Sequence, residues 1–256
     1  MYIKTVKKIN ADASVLLLIL SLAFSFASSV FAQNVLDIEV NYVSAGYNDL
    51  AIPGDSGDDL SLTDDLDADD TSAFRIRYAR TFSEKHWAGI LIAPLTMKSH
   101  GNLDNNVDFN GTTFSEGSSV NATFRFDSYR LIYRYRLHQS DALQFSIGGA
   151  LKVRDAAIKL ESDGLESEKK NTGLVPLMSF NLTWTPIDKL RFIIDGEAMA
   201  APQGRAEDIL FAVQYDVNES LALKTGYRLL EGGADNDEVY TFSLFHYAVA
   251  GLIWSF

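Results

Sequence analysis

From residue 33 to the end of the chain, hydrophobic and polar positions alternate with a period of two, and no segment repeats at a helical period. The alternation predicts ten strands, over about 35–47, 71–83, 86–98, 119–138, 142–161, 172–185, 188–200, 206–217, 220–231 and 238–256. Their connectors fall into two classes. Short turns are expected at Ser83-Glu84-Lys85, His138-Gln139-Ser140-Asp141, Pro186-Ile187 and Asn218-Glu219, and long or irregular polar loops at 48–70, 99–118, 162–171, 201–205 and 232–237. Short and long connectors alternate strictly. Such an alternation places all turns at one end of an antiparallel sheet and all loops at the other, with both termini at the turn end.

The same periodicity assigns faces. One face carries Leu36, Ile38, Val40 and Tyr42 of the first strand, Phe74, Ile76 and Tyr78 of the second, Tyr129, Leu131, Tyr133, Tyr135 and Leu137 of the fourth, and Leu143, Phe145, Ile147, Leu151 and Val153 of the fifth. The opposite face carries Asp37, Glu39, Arg75, Arg77, Arg130, Arg134, Lys152, Arg154, Asp195, Glu197 and Arg228, with Arg136 and Lys224 beside them. A soluble sandwich buries the apolar stripe between two sheets. A membrane barrel turns it outward and closes on itself, so that every backbone polar group finds a partner. Two features favour the barrel. Strands of ten or more residues suit a tilted span, and Trp87, Tyr135, Trp184, Tyr227, Phe242, Tyr247, Trp254 and Phe256 cluster near strand ends, as in an interfacial girdle.

The first 32 residues read differently. Lys4, Lys7 and Lys8 precede the apolar stretch Val15–Phe24, and Val30-Phe31-Ala32 meets the small-x-small rule for signal peptidase. The expectation is a signal peptide over 1–32, cleaved before Gln33, and one domain over 33–256. The apolar core of the leader is short for a membrane-spanning helix. The whole chain has 22 Lys+Arg and 34 Asp+Glu. Losing three lysines and one aspartate leaves 19 against 33, a net charge of −14, which argues against nucleic acid as a partner. The absence of cysteine excludes a disulfide scaffold and a thiol nucleophile.

The last strand steps back from Phe256 through Trp254, Leu252, Ala250 and Ala248. An aromatic C-terminus on an alternating strand resembles the C-terminal signature of Gram-negative outer-membrane β-barrels. The chain as a whole is similar to the small barrels of the OmpA-like and OmpW-like kind, without an appended periplasmic domain. The resemblance implies an all-β, transmembrane, antiparallel up-and-down barrel of about ten strands (eight to twelve) in the outer membrane, with periplasmic termini and external loops. It implies Trp254 and Phe256 as a signal to the barrel-assembly machinery, outer-membrane lipid and lipopolysaccharide as surroundings, a monomer, and no resident cofactor. Small barrels of this kind serve in minor solute passage, in surface contact, or in stabilising the envelope.

Candidate chemistry lies in three places. The eleven inward charges suit either a narrow pore for small solutes, anionic ones since bases outnumber acids, or an ion-paired interior that holds a small barrel shut. Nine aspartates and no basic residue stand between Asp49 and Asp70, and Asp58, Asp59, Asp64 and Asp65 are candidate Ca²⁺ ligands, although the spacing of an ordered calcium loop is absent. A solvated, mobile acidic loop is the alternative. A second acidic stretch, Asp235-Asn236-Asp237-Glu238, follows a turn expected at Gly232-Gly233, with Glu207 and Asp208 at the rim beside it. A lipid A- or peptide-hydrolysing site at the extracellular rim is the enzymatic alternative. It has His138-Gln139-Ser140 in a turn at the wrong end, and His246 below Asp235 and Asp237 without a paired carboxylate in sequence. The reading is therefore of a non-enzymatic protein.

Overall fold

The computed structural model describes residues 33–256; the leader expected over 1–32 lies outside them. The chain forms fifteen strand segments: β1 (Gln33–Ala51), β2 (Leu60–Ser61), β3 (Asp67–Ala68), β4 (Thr71–Phe82), β5 (His86–Ala93), β6 (Thr96–Asn102), β7 (Val107–Phe109), β8 (Thr112–Phe114), β9 (Ser119–Gln139), β10 (Leu143–Ser162), β11 (Leu165–Ile187), β12 (Leu190–Ala201), β13 (Gly204–Asp216), β14 (Leu221–Asn236) and β15 (Val239–Ser255). Ten staves build a closed antiparallel barrel, in which β5 and β6 share one stave because Pro94, between them, has no N–H to give. β9 pairs with β10, and the last strand pairs with the first from Val35↔Ser255 to Ala51↔Tyr240. The termini clasp each other: Asn34 N–H donates to the Phe256 carbonyl at 3.0 Å, and Phe256 N–H to that of Asn34 at 2.9 Å.

The ten expected strands and the two-ended arrangement of connectors are present. The loops differ. Residues 162–171 are not a loop, since the β10–β11 ladder continues to Ser162↔Leu165 and turns on Asp163-Gly164, both at positive φ (45° and 86°). Asp-Gly is the dipeptide that a tight hairpin turn of this kind requires. Likewise β12 and β13 are joined by Pro202-Gln203 alone, and β14 runs on to Asn236. Gly232-Gly233 is consequently not a turn but strand interior, paired with Ala206 and Arg205. A Cβ on Gly233 would lie 1.9 Å from the Thr241 carbonyl oxygen, so only glycine lets β14 approach β15 so closely. At the other end, the turn expected at Pro186-Ile187 falls two residues later, on Asp188-Lys189.

Only two long connectors remain, and neither is loose. In residues 52–70 the leucines alternate with the aspartates. Ile52, Leu60, Leu62 and Leu66 are at most 2% exposed, while Asp55, Asp58, Asp59, Asp64, Asp65, Asp67, Asp69 and Asp70 face solvent. β2 pairs back onto β1, and β3 onto β6. The second connector folds a β7–β8 hairpin over Asn110-Gly111, burying Val107, Phe109 and Phe114. These side chains join Phe124, Ile158, Leu160 and Phe245 of the wall in one apolar cluster. The loops thus cap the barrel. At about 25 cal/mol per Å² of apolar surface buried, such a cluster offsets the ordering of a long loop.

Outside, the wall is apolar. Val40, Tyr42, Leu131, Leu137, Leu174, Met178, Trp184, Phe211, Leu223 and Trp254 are all exposed, on staves all around the barrel. Two aromatics expected in the girdle point inward instead. Trp87 lies beneath the Arg134 guanidinium, 5.0 Å from ring centroid to Cζ, and Tyr247 is 2% exposed in the cluster.

Candidate functional site

The inward positions of the staves are charged at mid-height, and their side chains form one connected network. Lys224 Nζ donates to Asp37 at 2.6 Å and to Glu39 at 2.8 Å. Arg228 joins Glu39 (2.9 Å) to Asp208 (2.6 Å). Asp208 also receives Arg75 (2.9 Å) and Arg130 (2.7 Å). Arg130 continues to Glu197, which Arg134 approaches at 3.7 Å. Arg134 reaches Asp195 at 2.5 Å, and Asp195 receives Arg77 at 3.0 Å. Ser179 accepts from Arg134 Nε at 2.8 Å, and Asn181 donates to Asp195 at 3.0 Å. Seven staves therefore contribute to a chain of charge that crosses the lumen: β1, β4, β9, β11, β12, β13 and β14.

Nine of the eleven inward charges named from the sequence belong to this network: Asp37, Glu39, Arg75, Arg77, Arg130, Arg134, Asp195, Glu197 and Arg228. Lys224 completes it. Asp208 was expected at the rim and is instead inside the network, bound by three cations, Arg75, Arg130 and Arg228, as Glu39 is by Arg75, Lys224 and Arg228. Strict alternation contained the signal: Leu210, Ala212 and Gln214 are buried on the same parity of β13. The network balances five carboxylates against six cations. Paired in this way, the charges meet the requirement that a buried ion have a partner.

The network divides the interior in two. Toward the turn end lies an open polar vestibule of about 950 Å³, bounded by Asp37, Arg77, Arg134, Arg136, Gln144, Thr183, Arg191, Gln214 and Ser255 among others. Toward the loop end lies a second cavity of about 420 Å³, between the cap and strands β10–β15. Lys152 and Arg154, the other two inward charges, line the second cavity and not the network. Arg154 donates to Asn171. Lys152 is 3% exposed, and its Nζ sits 4.6 Å from the Phe126 ring centroid.

The wall beside this cavity is incomplete. β11 pairs with β10 along its full length, but with β12 only from Met178↔Ala198 to Ile187↔Leu190. Residues 165–177 of β11 have no ladder partner on that side: the ladder stops at Met178↔Ala198, and β12 turns back into β13 three residues further on, after Ala201. A matching gap between the upper parts of β4 and β6 is bridged by the acidic loop, through the pairing of β3 with β6. No described strand bridges the β11–β12 gap. Leu174 and Pro176, which point away from the barrel axis, nevertheless line the cavity. The cavity is open through the wall there.

The carboxylates proposed for calcium do not converge. Asp58 accepts the Asp108 N–H at 2.8 Å, and Asp65 accepts that of Ser61 at 2.7 Å. Asp59 and Asp64 are exposed, and among the described residues no three His, Asp or Glu side chains are placed to hold a metal. His246 shares a 2.5 Å hydrogen bond with Tyr227 on the outer wall. Asp235 pairs with Tyr240, six residues up β15 and so about 20 Å from His246. His138-Gln139 ends β9 at the turn end.

A closed antiparallel barrel, apolar outside and ion-paired inside, has the architecture of an outer-membrane β-barrel. The comparisons with known proteins agree at the level of fold. No family model and no curated sequence matches the chain. Among solved structures it is similar to the outer membrane protease OmpT from Escherichia coli, at 9% identity over 91% of this chain and 99% of that one, with a TM-score of 0.51. It is also similar to Ail, the attachment invasion locus protein of Yersinia pestis (12% identity, 87% and 99% covered, TM-score 0.39), and to the NanC porin (10% identity, 86% and 98% covered, TM-score 0.40). The fold is that of the Gram-negative outer-membrane barrels.

Proposed function

We propose that this protein resides in the outer membrane, with its termini in the periplasm, and acts there as a sealed, non-enzymatic barrel whose working part is its capped loop end. The observation that carries this reading is the continuous salt-bridge network from Asp37 to Arg77. Its arginines are 1–12% exposed and each meets a carboxylate. A through-pore needs charges that face water, and these face one another. The ordered cap supports the same reading, since it holds a defined loop surface on a rigid scaffold, where binding residues are commonly carried.

In this reading the chain is a monomer surrounded by lipid and lipopolysaccharide. Trp254 and Phe256, with ring centroids 4.5 Å apart and both exposed at the barrel seam, are presented to the assembly machinery. Single-channel recording of the refolded chain in a planar bilayer tests the seal, after a gel shift on boiling has shown a folded barrel. Silence is expected. Reproducible, charge-selective conductance steps would return the network to the role of a pore lining.

A further inference from the structure

The loop-end cavity differs from the rest of the interior in two respects, its surface and its unpaired charge. Its surface is mostly carbon, from Phe124, Phe126, Ile158, Val175, Met199 and Phe245. Its volume of about 420 Å³ falls within the range of small-molecule sites, about 300–1,000 Å³. It also contains a buried cation with no counter-ion. Lys152 has no carboxylate within salt-bridge distance among the described residues, and its Nζ lies against the face of Phe126. The acids whose field reaches it, Asp208 and Glu197, are already bound by Arg75, Arg130 and Arg228, and by Arg130 and Arg134. Among the described residues the neighbouring Arg154 meets no carboxylate and donates to the neutral Asn171.

A lone buried ammonium is costly and invites an anion. An apolar surface around it selects an anion that carries hydrocarbon. The opening between β11 and β12 lies where Leu174 and Met178 are exposed on the outer wall, so the cavity communicates with the level of the apolar belt.

We propose that this cavity binds a single-chain amphiphile with an anionic head, its carboxylate paired with Lys152 and its acyl chain lying along Phe124, Phe126, Val175 and Met199. The site lies on the loop side of the salt-bridge network, so binding and conductance are separate tests. A barrel that conducts can still bind, and a silent one can fail to.

The experiment uses the refolded chain in nanodiscs of zwitterionic lipid, with empty nanodiscs as reference. Calorimetry follows hexanoate, octanoate and decanoate, together with decanol. Affinity is expected to rise about fourfold for each added methylene, the equivalent of burying it. Decanoate is expected to bind at least tenfold more tightly than decanol. Lys152→Met keeps the volume and removes the charge, and is expected to abolish the preference for decanoate while leaving decanol binding unchanged. Ala206→Phe, which fills the cavity from β13, is expected to weaken both ligands at least tenfold, and it serves as the test should Lys152→Met fail to fold. Equal affinity for decanoate and decanol in the native chain would overturn the proposal. So would decanoate binding that is unaltered by Lys152→Met, or by Ala206→Phe.

Discussion

Arg228 on β14 gives one guanidinium nitrogen to both carboxylate oxygens of Glu39 on β1, at 2.9 Å each, across the whole width of β15. The other nitrogen of the pair goes to Asp208 at 2.6 Å. With 1% of its side chain exposed, Arg228 ties three staves together where no water substitutes for a lost partner. Arg228→Met is therefore expected to destabilise the barrel by about 1.5–3 kcal/mol, the loss of charged hydrogen bonds from Glu39 and Asp208, which keep Lys224, Arg75 and Arg130 as partners. The temperature at which the folded band disappears on a gel would fall. Adding Glu39→Met should recover part of the loss, because the pair then vanishes together. An additive double mutant would show that the two residues do not interact.

The seal has a kinetic counterpart. Asp208 accepts three arginines, so Asp208→Ala takes one partner from each of Arg75, Arg130 and Arg228 and leaves six network cations against four carboxylates. Conductance absent from the native chain is expected to appear in this variant, with preference for anions. A silent Asp208→Ala barrel would place the barrier in the cap.

The cap makes its own prediction. Leu62 and Phe109 are 1% exposed, and they come from different loops. Leu62→Ala should cost about 2–5 kcal/mol locally. Limited proteolysis would then cut within 52–70 while the wall stays resistant. Resistance equal to that of the native chain would mean that the acidic loop is held by its backbone pairing with β1 and β6.

Gly164 turns the β10–β11 hairpin at φ 86°, with no atom near its absent side chain. Space does not limit this position; backbone conformation does. Gly164→Ala is expected to cost about 1–2 kcal/mol, the penalty for an L-residue in the left-handed region. Hydrogen exchange at 160–167 would report it, and unchanged protection there would contradict the turn.

Calcium provides a second check on the acidic loop. Asp58 and Asp65 are engaged with backbone N–H groups, and the loop is held by its leucines. Millimolar Ca²⁺ is expected to leave its protease resistance unchanged. A marked increase would show that the exposed carboxylates gather around an ion.

The period-two pattern by itself determined the number of staves, the two kinds of connector, the outward apolar face and the inward position of ten of the eleven network charges, all but Asp208. It did so because each strand reports its own two faces locally, and a closed barrel needs nothing more to distinguish inside from outside. Strand ends were less legible. Beyond the bilayer both faces of β11 are polar from Glu166 to Thr172, so alternation fades while the ladder continues to Ser162↔Leu165. Three things were decided only in three dimensions. Which acid meets which base depends on the stagger of staves around the ring, and that brought Asp208 from an expected rim position to the centre of the network. Whether an aspartate-rich segment is loose depends on whether its leucines find a surface, and the β9–β10 wall provides one. The opening beside β11 arises from unequal hairpin heights, a relation between β11 and β12 that neither sequence carries alone.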